Sequence, residues 1–207
     1  MKIAVYNIKG KETTKKIDLS KEIFGIEPND HAIYLDVKQH LANRRLGTHS
    51  TKERGDITGS RRKIRKQKGS GAARVGDIKN PIFRGGGRVF GPRPRKYDFK
   101  VNKKAKRLAR KSALTYKLNE KNVIILEDFN FDTPSTKLYS STLANFNLLD
   151  NKTVLVLDKP NKNIFLSSRN LSKAKVVLAS ELNTYDIMNA NKMLFIESSI
   201  KDIEVNF

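Results

Sequence analysis

The 207-residue sequence contains no cysteine and no long apolar run. Without cysteine, the chain has no disulfide scaffold, no cysteine-ligated zinc or iron–sulfur site and no thiol nucleophile. Apolar runs such as 123–126 and 154–157 are far shorter than the roughly 18 residues that a membrane helix needs. The opening residues, MKIAVYN, lack the apolar stretch of a secretory signal peptide. We therefore expect a cytoplasmic protein from a reducing compartment.

Acidic residues are scarce in one part of the chain only. The sequence has 42 Lys and Arg against 21 Asp and Glu, a formal charge of +21, and residues 44–111 carry +20 of it. The same stretch holds ten of the twelve glycines, and its apolar residues follow no helical or strand period. Such a segment buries too little apolar surface to offset its ordering entropy alone. Its concentrated charge predicts a polyanion, specifically a nucleic acid, as partner.

Outside this stretch the apolar pattern is regular. Strand-like runs lie at 3–8, 13–19, 122–127, 153–158, 174–179 and 192–197, and helical stretches begin near 30 and lie at 103–118, 135–146, 161–170 and 184–190. Continuous apolar strands that alternate with helices are typical of a parallel sheet covered on both faces. We predict one α/β domain with a mostly parallel sheet flanked by helices, built from residues 1–43 and 102–207. Residues 44–101, the basic arm, are then an extended loop inserted between two helices.

The candidate RNA-binding residues are cationic or imidazole side chains in and beside the basic arm. Guanidinium groups pair bidentately with phosphate, and neighbouring glycines let the backbone turn or approach a nucleic acid closely. The predicted set is Arg44, Arg45, His49, Lys52, Arg54, Arg61, Arg62, Lys63, Arg65, Lys66, Lys68, Arg74, Lys79, Arg84, Arg88, Arg93, Arg95, Lys96, Lys103, Lys104 and Arg107.

Two aromatic residues of the arm have alternative interpretations. Phe83 and Phe90 alternate with arginines and glycines, an arrangement that suits stacking on unpaired RNA bases. A small local core at the base of the loop is the other interpretation of these two residues.

The sequence carries no complete enzyme or metal motif. Residues 71–76, GAARVG, have the glycine spacing of a phosphate-binding loop, but Asp77 and Ile78 stand where Lys and Ser or Thr belong. His31 and His40 are nine residues apart and face opposite ways on a helix, so they predict no metal site. We expect no catalytic residue, no metal and no cofactor or small-molecule substrate.

Several stretches resemble the bacterial large-subunit ribosomal protein four family, the L-four family. Its signature loop is similar to RGDITGS at 54–60, QKGSG at 67–71 and ARVGDIKNPIFRGGG at 73–87, and two further stretches match at 101–104 and 165–171. Members commonly have Pro-Trp where this chain has Ile64 and Arg65. The resemblance covers essentially the whole chain.

The resemblance implies a structural protein of the large ribosomal subunit, in the cytoplasm. Its partners would be large-subunit ribosomal RNA, neighbouring large-subunit proteins and the nascent peptide in the exit tunnel. The loop tip would centre on residues 62–71, and Arg65, Gln67, Lys68, Gly69 and Ser70 would line the tunnel.

Two other functions remain open at this stage. An RNA-processing or RNA-modifying enzyme would use the basic arm to deliver substrate to the carboxyl ends of the strands, near Asp128, Asp158 and Glu197. Glu127 and Asp128 are better explained as a strand-end helix cap. Free copies of some family members bind messenger RNA, so the resemblance also allows a translational repressor.

Overall fold

Six strands form one sheet in the computed structural model, which describes residues 1–206 and the side chains of residues 1–205. The strands are β1 (Lys2–Tyr6), β2 (Glu12–Asp18), β3 (Val123–Leu126), β4 (Thr153–Leu157), β5 (Ala174–Leu178) and β6 (Lys192–Ile196). Their order across the sheet is β2-β1-β3-β6-β4-β5. Only the β1–β2 hairpin is antiparallel, and all other neighbouring pairs are parallel. The predicted mostly parallel α/β fold is confirmed.

Seven helices accompany the sheet in the described residues. They are α1 (Lys21–Phe24), α2 (Asp30–Asn43), α3 (Lys103–Asn119), α4 (Thr136–Asn145), α5 (Lys162–Ser168), α6 (Thr184–Asn189) and α7 (Glu197–Asn206). The sequence pattern missed α1, which is a single turn, and α7, whose core contacts come from Ile200 and Ile203 in an otherwise polar segment. No helix in the described part of the chain is long and apolar enough to cross a membrane.

Both faces of the sheet are buried, as the continuous apolar strands predict. All five residues of β4 are buried. Val154 and Val156 point into a core shared with residues of α1, α3, α6 and α7. Leu155 and Leu157 point into a second core shared with α4 and α5. Because successive strand residues face opposite ways, a strand between two helical layers must be apolar at every position.

Side-chain caps fix where the crossover helices begin. The Asn161 carboxamide oxygen accepts hydrogen bonds from the Asn163 and Ile164 N–H groups at 3.1 and 3.2 Å, at the start of α5. Asn183 accepts from the Asp186 N–H at 2.8 Å at the start of α6. These bonds satisfy backbone donors that have no partner within the first helical turn.

The chain divides into two compact units. One consists of residues 1–41 together with the chain from residue 100 onward, and it contains the sheet; the other is residues 42–99. The second unit contains nearly all of the basic arm and, past the end of α2, no helix or strand.

Candidate nucleic-acid interface

The basic arm is a hairpin of two irregular runs that pair through their backbones. Four backbone hydrogen bonds cross the arm at 3.0–3.1 Å. The N–H groups of Arg95, Thr51, Arg88 and Ile64 donate to the carbonyl oxygens of Gly47, Pro92, Lys52 and Gly76, respectively. Between the ends of the last pair, the chain reverses through Gly69 and Gly71, with φ of +85° and +62°. Only glycine adopts such angles without a steric penalty, so this turn depends on the QKGSG sequence.

Close packing of the two runs also depends on glycine. A Cβ at Gly87 would lie 2.7 Å from the Arg54 Cα and 3.0 Å from the Glu53 carbonyl carbon. Real Cβ atoms do not approach backbone so closely. Glycine at this position therefore lets the returning run lie directly against the outgoing one.

Two of the four acidic residues in the 44–111 stretch join the two runs of the hairpin, and a third makes a local turn. Glu53 forms an ion pair with Arg93, whose Nε donates to it at 2.9 Å. Asp77, only 6% exposed, accepts from the Arg54 guanidinium at 3.1 Å. Asp56 accepts from the Glu53 N–H at 3.1 Å. With these carboxylates used internally, the remaining cations present an almost purely positive surface.

The predicted RNA-binding side chains are exposed, with one exception. Every residue of that set other than Lys79 lies on the surface. Lys79 is only 8% exposed, and its carbonyl oxygen accepts from the Gly87 N–H at 2.9 Å. Its aliphatic stem runs beside Gly59, where a Cβ would lie at an ordinary contact distance of 3.6 Å from the Lys79 Cγ. Burial keeps this side chain from the surface of the arm, and the assignment of Lys79 to RNA binding stays a prediction.

The tip of the arm is exposed throughout. Residues 61–74 are all exposed, including Arg65, Gln67, Lys68, Gly69 and Ser70. Within the tip, the Lys63 ammonium donates to the Gln67 side-chain oxygen.

The two phenylalanines differ in their surroundings. Phe90 is fully exposed and has φ of +52°, so the local-core interpretation is wrong for this residue. Phe83 is half-buried. Exposure of an entire aromatic ring beside arginines leaves a stacking surface for a base.

Sequence reasoning missed Tyr97, which lies at the base of the arm. The guanidinium carbons of Arg45 and Arg95 lie 4.0 and 4.6 Å from the centre of its ring, and its hydroxyl lies 3.1 Å from the His49 Nε2. A hydrogen bond from Arg95, together with the charges of Arg95 and Arg45, lowers the pKa of the Tyr97 hydroxyl. No sequence period marks this cluster, since 48 residues separate His49 from Tyr97.

Three acids at the carboxyl ends of the strands have structural partners. The Asp128 carboxylate accepts from the Ser198 N–H at 3.1 Å, and also from the Ser198 hydroxyl. It thereby caps α7, as its interpretation as a helix cap predicts, although the helix is far away in sequence. Glu127 and Glu197 lie 3.8 and 3.6 Å from the Lys15 ammonium.

The predicted histidine pair is engaged with aromatic rings. His31 lies beside Tyr34 and His40 stacks on Tyr185, with ring centres 6.3 and 4.8 Å apart. In the described part of the chain, no group of three or more His, Cys, Asp or Glu side chains is placed to hold a metal ion.

Comparison with known proteins finds full-length relatives. The sequence model of the Ribosomal protein L4/L1 family matches residues 17–206. The chain is 59% identical over 204 residues to the large ribosomal subunit protein uL4 of Christiangramia forsetii, covering 99% of this chain and 98% of that protein. It is 55% identical to the uL4 protein of Flavobacterium johnsoniae and 56% identical to that of Amoebophilus asiaticus, each over 100% of this chain and 99% of the relative.

Proposed function

Because the chain belongs to the ribosomal protein L4/L1 family, whose members are structural proteins of the large ribosomal subunit, we propose that its basic arm is the element that binds ribosomal RNA. The protein acts within the ribosome, in the cytoplasm, and its partners are ribosomal RNA and neighbouring ribosomal proteins.

The observation that carries the proposal is the division of charge between the two parts of the chain. Residues 44–111 have a net charge of +20, and the rest of the chain is close to neutral. The acids of the arm are used in pairs such as Glu53–Arg93 and Arg54–Asp77. Exposed cations that meet phosphates release condensed counterions, and this release drives binding that weakens steeply with salt.

We further propose that the tip of the arm lines the peptide exit tunnel and contacts the nascent peptide. Support comes from the resemblance of the loop to its family and from the exposure of residues 61–74. Arg65, Gln67, Lys68, Gly69 and Ser70 are the tunnel-lining residues in this proposal.

We propose no catalytic role for the sheet. At the carboxyl ends of the parallel strands, where α/β enzymes place their sites, Asp128 caps α7 and Glu127 and Glu197 lie against Lys15. The function of the sheet is to anchor the arm.

Deletion of residues 51–95, bridged by a short Gly-Ser linker, tests the role of the arm. We expect the deleted protein to unfold cooperatively at nearly the temperature of the full chain, because the sheet and both cores lie outside the deletion. Its affinity for an in vitro transcript of bacterial large-subunit ribosomal RNA should fall by at least a hundredfold at 0.1 M salt, since thirteen exposed lysines and arginines are lost. Equal affinities of the two proteins would overturn the proposal.

A further inference from the structure

We propose that Arg45, Tyr97 and Arg95 form one phosphate-binding site at the base of the basic arm, in which Tyr97 positions the two guanidinium groups. This inference rests on the proposed function, because the phosphate is taken to belong to the RNA backbone. Tyr97 is a positioning residue here, and the two arginines make the contact.

The geometry brings two arginines from opposite runs of the hairpin onto one ring. The guanidinium carbons of Arg45 and Arg95 lie 4.0 and 4.6 Å from the centre of the Tyr97 ring, well within the range of a cation–π contact. Fifty residues separate the two arginines in the sequence, and both are exposed. Tyr97 itself is half-buried.

The backbone holds this cluster in place. The Arg95 N–H donates to the Gly47 carbonyl oxygen at 3.1 Å. Gly47 has φ of +64°, and a Cβ there would lie 3.0 Å from the Tyr97 ring and collide with the Arg95 carbonyl oxygen. Glycine is therefore required for the two runs to cross at the ring. A hydrogen bond between the Tyr97 hydroxyl and the His49 ring, at 3.1 Å, fixes the ring from its other end.

The electrostatics favour an anion at this point. Elsewhere in the arm, Arg54 and Arg93 are paired with carboxylates. Among the described residues, neither Arg45 nor Arg95 has a carboxylate within ion-pair distance. The same positive surroundings lower the pKa of the Tyr97 hydroxyl, chiefly through its hydrogen bond with Arg95.

Phosphate is the anion that this arrangement fits. Guanidinium groups bind phosphate oxygens bidentately, and a pair held on one support loses little side-chain entropy on binding. The guanidinium groups lie over the ring, so Tyr97 is not free to stack on a base. The cluster therefore recognises the backbone of the nucleic acid, with no preference for sequence.

The test measures how RNA affinity depends on salt, because the slope of log K against log salt counts the phosphate contacts. The ligand is the same large-subunit RNA transcript, and the proteins are the full chain, Tyr97→Leu, Tyr97→Phe and the double variant Arg45→Gln with Arg95→Gln. We expect the double variant to lower the slope by about 1, because the two arginines bind one phosphate. Tyr97→Leu should lower it by up to about 1, and Tyr97→Phe, which keeps the ring but loses the hydrogen bonds of the hydroxyl with Arg95 and His49, should lower it by less than Tyr97→Leu does.

Tyr34→Leu is the matched control. Tyr34 lies on α2, is 56% exposed, and has the Lys38 ammonium 5.3 Å from its ring centre. The Tyr34→Leu substitution therefore removes an exposed aromatic–cation pair outside the arm. The slope of log K against log salt for this variant should equal that of the full chain.

The outcomes separate this inference from the proposed function. An unchanged slope for the arginine double variant would overturn the phosphate site, and an unchanged slope for Tyr97→Leu would overturn the positioning role of Tyr97. Both of these conclusions require that the full chain itself binds the RNA with a steep salt dependence. Salt-independent binding by the full chain would instead overturn the proposed function itself. The arginine variants change exposed side chains only, so their result stands even if Tyr97→Leu disturbs the fold of the arm.

Discussion

Asp77 shows how a single buried side chain shapes the surface of the arm. Its carboxylate is 6% exposed and accepts from the Arg54 guanidinium at 3.1 Å. A buried charge is costly unless it is paired, so this contact fixes Arg54 against the opposite run of the hairpin. The few acids of the arm therefore contribute to its structure, while the unpaired cations remain available to a polyanion.

Tyr139, a residue of the core, makes the stability of the protein depend on pH. It is 2% exposed, and its hydroxyl has no hydrogen-bond partner among the described residues. Burial raises the pKa of this hydroxyl above the ordinary tyrosine value of 10.0. Above pH 10 the unfolded chain therefore loses this proton while the folded chain keeps it.

We predict that Tyr139→Phe changes the pH dependence of stability. At pH 7 its free energy of unfolding should lie within about 1 kcal/mol of the unsubstituted protein, because the ring is kept and no hydrogen bond is lost. Above pH 10 the stability of the unsubstituted protein should fall relative to the variant, by up to about 1.4 kcal/mol per pH unit. Urea unfolding at pH 7, 9, 10 and 11 measures both effects.

Other tyrosines titrate equally in both proteins, so the difference between the two curves isolates Tyr139. A difference that stays constant from pH 9 to 11 would contradict the prediction.

At the scale of elements, the hairpin of the arm is stabilised by close backbone contact. Its runs have no ladder of regular strand bonds and few buried apolar side chains. They are held by separate hydrogen bonds, by the ion pairs of Glu53 and Asp77, and by glycines where the runs touch. A side chain inserted at such a glycine should separate the runs without affecting the sheet.

We predict that Gly87→Ala weakens RNA binding and leaves the domain stable. The new Cβ would lie 2.7 Å from the Arg54 Cα, and relief of such overpacking costs about 1–3 kcal/mol. This cost is met when the arm is ordered on RNA, so the affinity of the variant for RNA should fall about 5- to 150-fold. Titration with the large-subunit RNA transcript measures the loss, and the thermal unfolding midpoint should be nearly unchanged.

Gly55→Ala provides the control for this prediction. Gly55 lies in the same arm, and a Cβ there would meet nothing within 4 Å. Equal losses of affinity in Gly87→Ala and Gly55→Ala would show that the backbone contact at Gly87 is unimportant.

At the scale of the whole molecule, the chain combines an α/β domain with a net charge of +7 and a basic arm with a net charge of +14. Its apolar residues are concentrated in the domain, where both faces of the sheet are covered by helices. The arm has too little apolar surface to fold on its own, and its charge is neutralised when phosphates surround it. A protein of this kind is built into a ribonucleoprotein particle during assembly.

We predict that the full chain remains with the large ribosomal subunit when ribosomes are washed in high salt. An arm enclosed by RNA dissociates only if the surrounding RNA opens, so screening alone should not release it. Sedimentation through a sucrose cushion at about 0.5 M salt measures retention. The variant that lacks residues 51–95 should be lost from the subunit under the same wash, and release of the full chain at moderate salt would contradict a built-in position.

Much of the fold could be predicted because its signals are local. The strand Thr153–Leu157 lies within the run 153–158, which its consecutive apolar residues predict as a strand. α7 was missed because Ile200 and Ile203, although spaced as on one helix face, are only two buried apolar residues in a mainly polar segment and are too few to establish a helical period.

The candidate site was predictable only in its charge. The sequence by itself determined that the positive charge lies in one glycine-rich segment and that the rest forms a sheet between two helical layers, because composition and apolar periodicity act locally. The tertiary structure alone decided that Lys79 is buried, that Phe90 is exposed, and that Arg45 and Arg95 meet on Tyr97. Burial and contact at these positions depend on how two distant runs of the chain cross, and no local pattern in the sequence encodes that crossing.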